Sequence, residues 1–278
     1  MLPNFICVGP GRAGTSWLYE MFLAHPQVCM AKDIKETQFF NENYEKGIAW
    51  YERLFDHCNR SNARGEISNR YIFDPKVPER IKLIIPDCKI LICLRNPYQR
   101  IQSVYTFKLR EGGLTCSFED ALIRMPELIE ENRYSSLVKP YFDFFGKENL
   151  FIIYYEDLKT DPAKLCKKLF SFLGVKEDFI PKGAYEIVNQ AAIPRNVIVA
   201  RIAKAGARIM RKAELYNVLT WAKRCGPVNR LLYKKYLYEN KSLLTPTAKS
   251  RIDAVVLEEI EKLETLLGRT FDGWRDFS

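Results

Sequence analysis

Two short stretches of this 278-residue chain carry side chains whose types and spacing suit the grip of anions. The first is Gly9-Pro10-Gly11-Arg12-Ala13-Gly14-Thr15-Ser16. It follows an apolar run, Phe5-Ile6-Cys7-Val8, and precedes apolar residues at Trp17, Leu18, Met21 and Phe22, the spacing of one helix face. The order is therefore strand, glycine-rich loop, helix. Glycines let the backbone approach a phosphate closely, and the N–H groups that open a helix point at the anion along the helix dipole. Arg12 adds a fixed positive charge with several donors. Gly9 and Gly14 have the separation of the P-loop G-x-x-x-x-G-K-[ST], but Thr15 stands at the lysine position, which speaks against an ordinary NTPase.

The second stretch is Arg95-Asn96-Pro97-Tyr98-Gln99-Arg100-Ile101-Gln102-Ser103, after the apolar run at 89–94. Pro97 is suited to open a helix. Arg95 then leaves a strand end and Ser103 lies two turns into that helix, so both can converge on one phosphate. A third stretch, Lys35-Glu36-Thr37-Gln38-Phe39-Phe40, offers a carboxylate beside aromatic residues. By itself Glu36 reads equally as a surface charge among Lys32, Asp33 and Lys35. A histidine base has few places to come from. His25 reads as the structural end of the first helix, and His57 has no partner motif.

The elements that must position these residues follow from periodicity. Buried strands are predicted at 4–8, 89–94 and 150–155, with a shorter one at 65–67. Helical spacing covers 15–24, 77–85, 97–111, 134–145, 162–173 (stopped by Gly174) and 247–267. Near-continuous apolar strands separated by helices predict an α/β fold: a P-loop-like, three-layered architecture with a central parallel sheet flanked by helices. No repeat or low-complexity linker divides the chain, and a single domain over 1–278 is expected.

The net charge of +9 is uneven. Residues 195–241 hold 12 Lys/Arg against 2 Asp/Glu, so the basic excess belongs to this segment alone. It is expected to be helical: a lid or acceptor-binding subdomain over 197–245, with a membrane-surface contact through 195–241 as a sharper reading. Charge alone permits nucleic-acid binding, but no recognition motif accompanies it, and none is expected. Eight cysteines include no CxxC pair with metal spacing, and no metal site is expected. Reduced cysteines and the absence of a leader-like or membrane-spanning stretch give a cytoplasmic expectation.

Taken together, these stretches resemble the PAPS-dependent sulfotransferases, where PAPS is 3′-phosphoadenosine 5′-phosphosulfate. Gly11-Arg12-Ala13-Gly14-Thr15-Ser16 is similar to that family's 5′-phosphosulfate loop, P-K-x-G-T-[ST], with Arg12 where lysine is usual. Arg95-x-Pro97-x-x-Arg100-x-x-Ser103-x-Tyr105 matches its 3′-phosphate element. Lys35-Glu36-x-Gln38-Phe39-Phe40, then Gly47-x-x-Trp50-Tyr51, resembles the heparan-sulfate-type branch and its bacterial relatives, in which the glutamate is the catalytic base. Gly65-Glu66-Ile67-Ser68-Asn69-Arg70-Tyr71 resembles G-E-x-[ST]-P-x-Y, with Ile67 where some members carry a functional lysine. Tyr155-Glu156-Asp157-Leu158 and Asn189…Pro194-Arg195-Asn196 fit later signatures, the second a loop that closes over the cofactor.

The resemblance implies sulfuryl transfer from PAPS, leaving PAP, to a hydroxyl or amine of a small-molecule, natural-product or carbohydrate acceptor. It implies Glu36 as general base and Arg12 as stabiliser of the departing phosphate. Ala13, Gly14, Thr15 and Ser16 would hold the 5′-phosphate, Arg95 and Ser103 the 3′-phosphate, and Arg195 would cover the donor. Lys35 and Gln38 would orient the sulfonate or the acceptor, and Tyr71 would meet the acceptor. The rival readings are a P-loop kinase or NTPase and a non-catalytic basic binding protein. Acceptor identity and oligomeric state are not legible.

Overall fold

The computed structural model describes residues 1–58, 61–111, 113–186, 192–194, 233–235 and 243–275, with single helical positions at 202, 205, 206 and 210. The chain divides into two compact units. One comprises Met1–Asn96, Tyr134–Val188 and Lys262–Thr270; the other comprises Pro97–Arg133, Asn189–Glu261 and Phe271–Ser278.

The first unit is built on a parallel sheet. Its strands are β1 (Phe5–Gly9), β2 (Val28–Met30), β3 (Ala63–Ile67), β4 (Lys89–Leu94) and β5 (Leu150–Tyr154), in the order β2-β3-β1-β4-β5. β1 pairs in parallel with β3 on one side and β4 on the other. Every residue of β1 is buried, as its uninterrupted apolar run demands for a strand covered on both faces. Strand order reverses across β1, since β2 and β3 lie to one side and β4 and β5 to the other. Open α/β sheets bind ligands outside the carboxyl ends of their strands at such a reversal.

One face of the sheet is covered by α1 (Thr15–Ala24) and α9 (Pro162–Leu173). They bury Trp17, Leu18, Met21, Phe22, Leu165, Cys166, Leu169, Phe170 and Leu173 on Phe5, Cys7, Leu91, Cys93 and Ile153. Asp161 caps α9 through the Lys164 N–H at 2.9 Å, and Gly174 ends it in the left-handed region at φ 73°. Two further helices, α3 (Val77–Ile84) and α7 (Tyr134–Phe145), bury Val77, Ile81, Val138, Tyr141 and Phe145, with α7 packed against β4 and β5. His25 is structural, as expected. It is buried at the end of α1, where Nδ1 accepts from the Gln27 N–H at 3.1 Å. That fixes the proton on Nε2, which donates to the Lys176 carbonyl at 3.0 Å.

β2, α2 (Ile48–Arg53) and α8 (Tyr155–Thr160) were not anticipated; each is too short to show a period. One expectation is corrected. Cys29 and Cys58 form a disulfide, and the His57 imidazole Nε2 lies 3.3 Å from Cys29 Sγ. Sequence spacing could not pair two cysteines 29 residues apart, and only the fold brings Cys29 to His57, the neighbour of Cys58. These three are the group of metal-type donors that comes together among the described residues, and the bridge engages both sulfurs.

The second unit contains α4 (Pro97–Arg110), α5 (Phe118–Arg124), α6 (Glu127–Glu130) and a two-stranded antiparallel pair, β6 (Ala192–Pro194) with β7 (Tyr233–Lys235). The last helix, α10 (Pro246–Leu267), buries Ala248, Ile252, Val256, Glu259 and Ile260 at helical spacing. Arg100 is buried and donates to the Asn132 side-chain oxygen at 3.0 Å and the Glu131 carbonyl at 3.1 Å. The second arginine of the Arg95–Ser103 motif is thus a satisfied structural charge. Among the described residues, no helix is long and apolar enough to cross a membrane.

Candidate active site

The carboxyl ends of the first unit's strands carry the segments singled out by sequence. β1 runs into the glycine-rich loop, β3 into Ser68-Asn69, β4 into Arg95, and the chain beyond β2 into Lys35–Gln38. Gly9 takes φ 101°, and a Cβ there would lie 2.4 Å from the Asn69 carbonyl oxygen, so the loop can pass β3 only with glycine. Gly14, at φ 97°, opens α1 without a side-chain cap, and no acidic residue lies in the first turn. The N–H groups of that turn and the positive end of the helix dipole are left to an anion.

Arg95 sits beside this loop. Its guanidinium donates to the Arg12 carbonyl at 3.3 Å and stacks on the Tyr155 ring at 4.3 Å, while the Tyr134 hydroxyl holds the Arg95 carbonyl at 2.9 Å. Lys35 reaches it from another segment, donating to the Ser16 hydroxyl at 3.1 Å. A cation therefore stands at the head of α1 although Thr15 occupies the P-loop lysine position. Ser103 lies on α4, in the second unit. Arg195 and most of 197–245 lie outside the described residues.

Glu36 is half-buried and held at both oxygens. Asn69 Nδ2 donates to Oε1 at 2.6 Å and Gln38 Nε2 to Oε2 at 3.2 Å. Adjacency in sequence suggests that Phe39 and Phe40 give Glu36 an apolar setting, but both rings are buried elsewhere. They turn into the core, where Phe39 stacks on Tyr51 with ring centroids 4.2 Å apart and Phe40 packs edge-on to Tyr51 and Tyr71. This aromatic packing accounts for the Gly47-x-x-Trp50-Tyr51 pattern, since α2 places Tyr51 under the loop.

Beneath the loop lies a residue the sequence reading did not single out. Glu66 is fully buried on β3 and accepts from the hydroxyls of Tyr51 at 2.7 Å, Ser68 at 2.8 Å and Tyr71 at 3.0 Å, and from that of Thr37. Burial pushes the Glu66 carboxyl up, against four hydroxyl bonds that favour its charged form. Burial, then the charge of Glu66, pushes the Tyr51 and Tyr71 hydroxyls well up. Thr37 thus anchors the loop inward, and its neighbours Glu36 and Gln38 meet on the other side. Tyr71, expected at the acceptor, is instead buried support: it donates to Glu66 and accepts from the Phe40 N–H at 3.0 Å. The visible signal was a glutamate inside a strand at a buried position, which needs such partners.

Comparison with known proteins agrees with this geometry. The family model described as "Sulfotransferase domain" matches residues 2–192. The human bifunctional heparan sulfate N-deacetylase/N-sulfotransferase 3 is 30% identical over 195 residues, 63% of this chain and 22% of that protein. The mouse heparan sulfate glucosamine 3-O-sulfotransferase 3B1 is 28% identical over 193 residues, 66% of this chain and 49% of that protein. The chain thus spans less than half the length of either relative. Among solved structures, a sulfotransferase from Alicyclobacillus acidocaldarius superposes with a TM-score of 0.72 at 25% identity, covering 99% of this chain and 100% of that one. The chain belongs to the sulfotransferase domain family.

Proposed function

We propose that this enzyme moves a sulfuryl group from PAPS to a hydroxyl or amine of a carbohydrate, natural-product or other small-molecule acceptor, with 1–278 acting as one sulfotransferase domain. The observation that carries the reading is the convergence of two cationic elements and one carboxylate on the same sheet edge. Arg95 bonds the Arg12 carbonyl, Lys35 bonds Ser16, and Glu36 is held by Asn69 against the same loop. The donor set suits a ligand with an anionic group at each end: a glycine cradle and helix start for the 5′-phosphosulfate, and an arginine at the neighbouring strand end for the 3′-phosphate.

PAPS, when bound, supplies a sulfuryl group already activated by its link to phosphate. The chain's part is positioning and charge stabilisation, as in phosphoryl transfer. Glu36 takes the proton of the acceptor O–H or N–H while that atom bonds to sulfur. The bond from sulfur to the bridging oxygen breaks, and its electron pair leaves on the 5′-phosphate of PAP. Arg12, Lys35 and the N–H groups of Ala13, Gly14, Thr15 and Ser16 stabilise that charge. Arg95 grips the 3′-phosphate. Ser103 and Arg195 join the donor site on the strength of their motifs alone, and Gln38 stands at the acceptor side by its contact with Glu36. No step needs a metal.

A carbohydrate acceptor is supported by relatives named for heparan sulfate, and the basic 195–241 segment suits an anionic acceptor or membrane surface. The cytoplasmic location expected from cysteine spacing loses its main support to the Cys29–Cys58 bridge, which favours an oxidising compartment. Calorimetry with 3′,5′-ADP against ATP and Mg²⁺ tests the donor. Tight 3′,5′-ADP binding with weak ATP binding is expected, and the reverse preference would return the chain to the kinase reading.

A further inference from the structure

Asn69 touches two parts of the site at once. Its backbone carbonyl lies where a Cβ on Gly9 would fall, 2.4 Å away, and its side chain runs 3.6–3.8 Å from the corresponding position on Gly11. It is therefore seated on the glycine-rich loop. From that seat its amide donates to Glu36 Oε1 at 2.6 Å, shorter than the 3.2 Å bond from Gln38 to Oε2. The polarity of both amides is set by the carboxylate, because a flip of either would press a carbonyl oxygen against an oxygen of Glu36. The arrangement leaves Asn69 Oδ1 and Gln38 Oε1 buried without a partner among the described residues. Buried polar atoms are rarely left so, and these two occur where the other end of each amide grips the carboxylate. The G-E-x-[ST]-P-x-Y pattern that this stretch resembles has proline at the position of Asn69, and proline has no side-chain donor.

We propose that Asn69 is a positioning residue for sulfuryl transfer, a strut that fixes the Glu36 carboxylate at a set distance from the loop that holds the donor. The proposal rests on the reading of Glu36 as base. Gln38 sits on the same segment as Glu36 and moves with it, whereas Asn69 belongs to the end of β3 and ties that segment to the phosphate loop. Thr37, bonded to Glu66, fixes the backbone of the segment but leaves the Glu36 side chain free to turn. Asn69 removes that freedom. A misplacement of about 1 Å at a reacting centre costs on the order of a hundredfold in rate.

The test uses the full chain and labelled PAPS, with release of sulfate to water as the readout, so the natural acceptor need not be known. Asn69→Asp keeps the shape and loses the donor; Asn69→Ala loses both. A roughly ten- to hundredfold drop in turnover is expected for each, with 3′,5′-ADP affinity by calorimetry within about threefold of the parent. In the Glu36→Gln background neither change should lower turnover further, because a strut has nothing left to position. Parent-like turnover in Asn69→Asp would overturn the proposal, as would a loss of equal size in the Glu36→Gln background, which marks a general structural role. Failure of the underlying reading looks different: Glu36→Gln itself would then turn over like the parent.

Discussion

Lys35 Nζ donates to Ser16 Oγ at 3.1 Å, across a gap of 19 residues in sequence. The segment that carries Glu36 thereby lends its neighbouring lysine to the head of α1, where a P-loop would have placed its own. Lys35→Met should weaken 3′,5′-ADP binding by roughly ten- to hundredfold, the worth of one charge-assisted hydrogen bond. Calorimetry checks this. Unchanged affinity would move Lys35 out of the donor site.

Arg95, beside the glycine-rich loop, is proposed to grip the second phosphate of the donor. Arg95→Ala should weaken 3′,5′-ADP by roughly ten- to hundredfold yet leave 5′-AMP nearly unaffected, because only the first ligand carries the 3′ group. An equal loss for both ligands would show instead that Arg95 supports the loop through its bond to the Arg12 carbonyl.

Glu66 collects four hydroxyl donors in a fully buried site. Glu66→Leu strands those hydroxyls, and a loss of about 3 kcal/mol or more is expected in denaturant unfolding. Its pH signature has a definite sign. The folded-state pKa is raised above its ordinary value of 4.5, so the folded protein holds the proton more tightly than the unfolded chain. The contribution of Glu66 is then most favourable below 4.5 and declines as pH rises toward the folded-state value. Relative to Glu66→Gln, the parent should lose stability across that window. A difference between the two that is flat with pH would contradict it.

The Cys29–Cys58 bridge encloses the segment that holds Lys35, Glu36, Thr37, Gln38 and Tyr51. Closing a loop of this length stabilises by about 3–4 kcal/mol in the chain-entropy account. Cys58→Ser, or dithiothreitol on the parent, should lower the melting temperature measurably. No change under reduction would show that the bridge adds little to stability.

Much of this was legible beforehand, and the reasons differ by residue. β1 and β4 announced themselves because strands buried on both faces are apolar without break, and the positions of Gly9, Gly14 and Arg95 beyond their ends followed from that. Glu36 needed the motif, since a carboxylate among Lys32, Asp33 and Lys35 has no chemical signature of its own. Asn69 and the cysteine bridge were not legible, and Glu66 showed only as a carboxylate inside a strand, without its partners. Thr37 and Tyr51 come to Glu66, and Glu36 to Asn69 from 33 residues away, out of other segments that only the fold joins. Tyr71 was misread for the same reason: its pattern marked it as functional, while burial makes it the support of the loop above.

Glu36 as general base is the centre of the proposed mechanism. Single-turnover transfer of labelled sulfuryl from PAPS, compared between the parent and Glu36→Gln at saturating donor, is the most direct measurement. A loss of roughly 10²–10⁴-fold is expected, with 3′,5′-ADP affinity retained. Turnover within a few-fold of the parent would contradict it.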